Sequence, residues 1–173
     1  MARNPKLTFV AALLLGAFPA AATQRDPLTR DEIDQLREVA QEPDKRLKLL
    51  ADFAGARLTT IEQVRAQEKS EKNTPQAIHN LMEEFLTVYD ELDDNIAMYV
   101  DRQSDLRKAL KPVLAADSDF HARLEGLQHN LTAEERSTCD FAMSTAVDAV
   151  NNGAVEHKKL LTEQNSSPPG KKK

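Results

Sequence analysis

The sequence predicts an all-α protein: an antiparallel, up-down bundle of about four main helices plus a short N-terminal helix. Three observations carry that prediction. Apolar residues recur at helical spacing along most of the chain and nowhere alternate in the strand pattern. Thr-x-x-Glu capping boxes mark helix starts at Thr29 and Thr132. The links between apolar stripes are only a few residues long, the length that joins antiparallel neighbours in a bundle.

The first segment stands apart from this pattern. Arg3 and Lys6 precede the apolar run 7–18, and Ala20, Ala21 and Ala22 supply a small-residue exit. That is the order of a cleaved secretory signal peptide. A spanning helix needs roughly 20 apolar residues, and this run meets Pro19 first. Residues 1–22 are therefore read as a signal peptide, residues 23–164 as the helical bundle domain, and residues 165–173 as a disordered basic tail. The expected protein is secreted or periplasmic, with no stable membrane insertion after signal cleavage.

In the bundle domain, Leu28 and Thr29-Arg30-Asp31-Glu32 combine a hydrophobic staple with a capping box. Ile33, Leu36 and Ala40 follow at helical spacing, and Pro43 is expected to end this first helix, which should lie across one end of the bundle. The second helix is expected over about 44–72, with Leu47, Leu50, Ala51, Ala54, Leu58 and Ile61 as its stripe. Gly55, between two alanines, is weak helix chemistry that is tolerable where a neighbouring helix must come close. Thr74 and Pro75 open the third, with proline at a position where its missing N–H costs nothing. Ile78, Leu81, Met82, Phe85, Tyr89, Leu92, Ile96, Tyr99 and Val100 line one face; Glu83, Glu84, Asp90, Glu91, Asp94 and Asp101 line the other. A fourth helix is expected over about 105–130, kinked or broken at Pro112. Leu131 and the Thr132 box open the last, whose stripe runs through Cys139, Met143, Ala146, Val150 and Leu161.

Composition excludes several function classes. The formal charge is −5 for the whole chain and about −7 once Arg3 and Lys6 are removed, so the surface repels nucleic-acid backbones. Aromatics are few and tryptophan is absent, which removes the usual stacking platforms for bases and sugars. Cys139 is the single cysteine, so no disulfide can form within the chain. Its place on the stripe with Met143 and Val150 reads as a buried structural thiol, the alternative being an intermolecular disulfide in an oxidising compartment. No Gly-x-Ser-x-Gly, His-Glu-x-x-His or phosphate-cradling glycine loop occurs, and no cofactor is called for.

One polar stripe is a candidate site. Asp117, His121, Glu125 and His129 fall at i, i+4, i+8 and i+12 along one flank of the fourth helix. Carboxylate and imidazole are ligands for zinc, copper or nickel, and neighbours four apart can share one ion. The competing reading is an ordinary polar flank. The acidic face of the third helix is likewise a candidate for Ca²⁺ or a basic partner. Carboxylates strung along a rigid helix do not supply the 6–8 converging oxygens that Ca²⁺ takes, so a solvated face is expected there. Phe141 and Val155 lie almost opposite the Cys139 stripe, two turns either side of Asp148, and together mark a candidate contact with a partner or with the short first helix.

The Leu-Thr-x-x-Glu runs beginning at Leu28, Leu58 and Leu131 resemble the Leu-Thr-x-x-Gln element of periplasmic all-helical stress chaperones, with Glu in place of Gln. A staple plus a capping box produces the same letters locally, so no membership follows. The function expected is that of an exported, non-enzymatic helical protein working through protein contacts as a scaffold, adaptor or chaperone-like binder. Its partner is another protein or a second copy of itself. The alternative is a transition-metal-binding or metal-sensing bundle, and the third reading an enzyme without a recognisable motif.

Overall fold

The computed structural model describes residues 27–67 and 74–166. The expected signal peptide lies outside the described residues, as does the end of the chain from residue 167. Among the described residues there are five helices and no strand: α1 (Arg30–Glu38), α2 (Pro43–Gln67), α3 (Thr74–Asp101), α4 (Arg107–His129) and α5 (Ala133–Ser166). Asn165 and Ser166, expected in the tail, belong to the last turn of α5.

Both capping boxes form. The Thr29 hydroxyl accepts from the Glu32 amide at 3.3 Å, and Glu32 Oε2 accepts from the Thr29 amide at 2.8 Å. At α5 the same exchange joins Thr132 and Glu135, at 3.2 and 2.6 Å. The third Leu-Thr-x-x-Glu run falls inside α2 and caps nothing. Pro43 opens α2 rather than closing α1, which has already ended in a run of turns; at a first helical position its ring is preorganised. Pro112 lies inside α4, and that helix continues unbroken to His129. It stands in the second turn, so the one helical bond it removes is to the carbonyl of exposed Lys108, close to the helix start.

The α3–α4 link is a Schellman turn. Ser104 N–H bonds the Tyr99 carbonyl at 3.0 Å, Gln103 N–H bonds the Val100 carbonyl at 2.8 Å, and Gln103 takes the left-handed φ of 56°. Gln164 of α5 secures this link, accepting from the Leu106 amide at 2.8 Å and donating to the Ser104 carbonyl at 3.1 Å.

Consecutive helices alternate in direction, as the sequence predicts. Their neighbours, however, are not those of the simplest up-down arrangement. α2 packs on α3 and α4, and α5 packs on α4 and α3. The Cys139–Pro75 and His157–Asp93 contacts fix α3 and α5 as parallel neighbours. Lys108–Asp44 and Arg123–Glu62 do the same for α2 and α4. The short 102–106 link therefore carries the chain across a diagonal of the bundle.

α1 lies along the flank of the bundle rather than across its end. Arg57, buried in the middle of α2, pairs with Glu32 and donates to the Pro27 carbonyl at 2.5 Å. Arg46, about three turns earlier, donates to the Leu36 carbonyl at 2.8 Å. α1 therefore runs antiparallel to α2, and the buried guanidinium that needs a counter-charge sets its position. The core between the four long helices is closed and mostly apolar, with Leu47, Leu58, Phe85, Leu92, Leu110 and Leu124 fully buried.

Candidate functional site

The apolar stripes keep a spacing of three and four residues, and that register places four hydrogen-bonding side chains where leucines would otherwise stand. On α3 it runs Ile78, Met82, Phe85, Tyr89, Leu92. On α4 it runs Leu110, Val113, Asp117, Phe120, Leu124, and on α5 Cys139, Met143, Ala146, Val150, Gly153, His157. All are buried. On α2 the series Leu47, Leu50, Ala54, Arg57, Ile61 includes Arg57, whose two terminal guanidinium nitrogens bond Glu32.

Tyr89, Asp117 and His157 meet in the middle of the bundle. The Tyr89 hydroxyl donates to Asp117 Oδ1 at 2.8 Å, across the α3–α4 diagonal. His157 Nδ1 is 2.8 Å from Asp117 Oδ2, and its Nε2 is 3.0 Å from Asp93 Oδ1. Burial alone would lower the His157 pKa. The hydrogen bonds and charges of Asp117 and Asp93 more than offset that cost and hold it up at about 9. The imidazole is therefore a cation at neutral pH, with both N–H groups donating to carboxylates. Burial, followed by the charge of Asp117, pushes the Tyr89 phenol far above its ordinary value, so it stays a donor.

Two glycines seat the rings around this relay. A Cβ at Gly153 would stand 2.2 Å from the Tyr89 hydroxyl oxygen, and one at Gly55 would stand 3.2 Å from the edge of Phe120. Phe120 meets Phe85 edge-on with ring centroids 5.5 Å apart, and Tyr89 at 6.2 Å. These pairs fill the centre of the bundle from opposite corners.

The relay surfaces on one side. Asp93 sits on the wall of a groove of about 580 Å³ between α3 and α5. Ile96, Ala97 and Val100 contribute an apolar lining from α3, and Ala149 and Leu160 do so from α5. Asp90, Asp93, Asp101 and Glu156 stand along the same groove. Partial desolvation raises the Asp90 pKa, and the like charges of Asp93 and Asp94 raise it further. A second hollow, between α2 and α4, is crossed by Arg123, which binds Glu62, Thr59 and the Gly55 carbonyl.

The structure separates the residues of the candidate metal stripe. Asp117 is buried with both carboxylate oxygens engaged by Tyr89 and His157. His121 is half-buried with its Nδ1 3.6 Å from Glu125 Oε2, and Glu125 and His129 are exposed. The reason is rotational: each step of four residues drifts about 40° around a straight helix, so three steps carry the series from the core to solvent. Among the described residues no group of three or more His, Cys, Asp or Glu side chains is placed to hold a metal ion. Cys139 is buried, as its stripe predicts. Its Sγ lies 3.2 Å from the Pro75 carbonyl, and burial followed by the charge of Glu135 raises the thiol pKa. Phe141 and Val155 are exposed on the outer side of α5.

His157, Asp93 and the partnership of Tyr89 with Asp117 were not foreseen from the sequence. The signal available was the register itself: a carboxylate on the α4 stripe and an imidazole on the α5 stripe are two opposite charges at core positions. No described helix is long and apolar enough to cross a membrane. Comparison with family models, with curated proteins and with solved structures finds no match to the chain.

Proposed function

We propose that this is an exported, non-enzymatic binding protein, and that the α3–α5 groove is the surface through which it contacts another protein or a second copy of itself. The observation that carries the reading is the groove: an apolar lining open to solvent between two helices, whereas the other exposed large apolar side chains among the described residues, Phe141 and Val155, stand singly on the outer side of α5. An apolar floor with a polar rim is the anatomy of a protein-binding surface. The relay supports a binding role over a catalytic one. Both imidazole nitrogens of His157 are hydrogen-bonded, so it offers the groove no lone pair and no free proton. Its work is to tie α5 to α3 and α4 and to hold the groove's two walls in fixed relation, a preorganised surface of the kind that binds with little ordering cost.

The test is retention of a partner from the exported fraction of the parent cell by immobilised protein. Ala97→Arg puts a charge on the groove, and Ala56→Arg puts the same group on the exposed α2 side as a control. The expected result is a discrete partner held by the parent chain and by Ala56→Arg but lost by Ala97→Arg. Equal retention by all three, or by none, overturns the reading.

A further inference from the structure

Resting on that reading of the α3–α5 groove, we infer that its occupant is a basic amphipathic helix, a segment of another protein with apolar side chains on one face and Lys or Arg along the edges. The argument is charge complementarity over an apolar floor. Val100, open to solvent at 38% of its surface, and Ala97 and Leu160 give the floor. Asp90 and Asp101 on α3 and Glu156 on α5 give the rim. Each cation on the groove is matched by a carboxylate, Lys159 at 3.7 Å from Glu156 and His157 between Asp93 and Asp117, so Asp90 and Asp101 add negative charge beyond those pairs. The rim therefore carries excess negative charge, and the raised Asp90 carboxyl is consistent with that crowding.

A neutral or acidic partner seated on the floor would desolvate or repel these carboxylates, whereas Lys and Arg would neutralise them. The dimensions also fit a helix. Asp101 is eleven helical steps beyond Asp90, roughly 16 Å along α3. That is room for about three turns of a partner whose anchors fall at i, i+3 or i+4, and i+7. The walls need no rearrangement, because the Tyr89–Asp117–His157–Asp93 relay already fixes them.

The experiment is calorimetric titration of the whole chain with a designed Leu/Lys amphipathic peptide of about four turns, beside the same peptide with Glu at every Lys. The expected result is one-to-one binding of the Lys peptide and none of the Glu peptide. Kd should weaken about tenfold in the triple variant Asp90→Asn, Asp101→Asn, Glu156→Gln, with a similar loss in high salt. These three side chains lie outside the relay, and an unchanged melting temperature would show the triple variant folded. The inference is overturned if the Lys peptide fails to bind, or binds the triple variant or Ala97→Arg as tightly as the parent chain. If the peptide fails while partner capture still depends on Ala97, the partner chemistry is wrong and the contact itself stands.

Discussion

The hydroxyl of Tyr89 occupies the space that a side chain at Gly153 would need. A Cβ there would come within 2.2 Å of the oxygen and 3.1 Å of the ring carbon that bears it. A mid-helix glycine costs roughly 1 kcal/mol against alanine, so its presence in α5 is explained by what it admits. The tyrosine can then reach across the diagonal to Asp117.

The first prediction follows from that pair. Gly153→Ala should destabilise the protein by about 1–3 kcal/mol despite its better helix propensity, because a buried, hydrogen-bonded ring must move. In a Tyr89→Phe background the nearest clashing atom is gone, and the same change should cost about 1 kcal/mol less. Denaturant unfolding of the four proteins measures the cycle. An equal cost in both backgrounds would mean that the hydroxyl is not what Gly153 accommodates.

Stability should fall on the alkaline side through His157. Its folded pKa, about 9, is above the unfolded value of 6.5. The stabilisation is therefore complete below pH 6.5 and is lost as pH rises through about 9. Its size is on the order of 3 kcal/mol. Chemical denaturation between pH 6 and 9 should show the decline, and His157→Gln should flatten it. On the acid side the signs reverse. Burial alone would raise the Glu32 and Glu135 pKa values, but hydrogen bonds from Arg57 and Thr29, and from Thr132 and Arg65, bring both below 4.5. Their contribution is present above pH 4.5 and is lost as pH falls through the lowered values.

Glu32 should govern whether α1 stays docked. It closes the capping box and supplies the counter-charge for buried Arg57. Glu32→Gln keeps a capping side chain and removes the charge, leaving a guanidinium at 10% side-chain exposure without its main anion. Hydrogen exchange should then accelerate in α1 while the α3 and α5 amides stay protected. Unchanged protection in α1 would place its anchorage in Leu36 instead.

Gln103 is the described non-glycine residue with positive φ, at the Schellman position after α3. Gln103→Gly should raise stability by about 0.5–1 kcal/mol, since a left-handed conformation costs a side chain roughly that much more than glycine. A thermal melt is sufficient, and a lower melting temperature would contradict the assignment of the turn.

The elements were legible in the sequence wherever one local signal decided them. Thr29 and Thr132 cap helices because the box is complete within four residues, and the stripes from Leu47, Ile78 and Leu110 are buried as their spacing predicts. Pro43 misled because proline suits a helix start as well as it ends one, and Pro112 because a missing bond near a helix start is cheap. The site was less legible. The expectation followed Asp117 along its own helix to His121, Glu125 and His129, whereas its partners lie on α3 and α5. Such pairings depend on which helices become neighbours, and that was decided by the diagonal 102–106 link, which no single stripe announces.

The central claim is that the protein acts by contact through the α3–α5 face, and site-specific photo-cross-linking in the parent cell tests it most directly. A photoreactive side chain is placed at Ala97 in one variant and at Ala56 in the other. The account predicts a discrete covalent adduct from position 97, with another protein or a second copy of this chain, and none from position 56. Adducts from position 56 alone, or the same adducts from both, would contradict it.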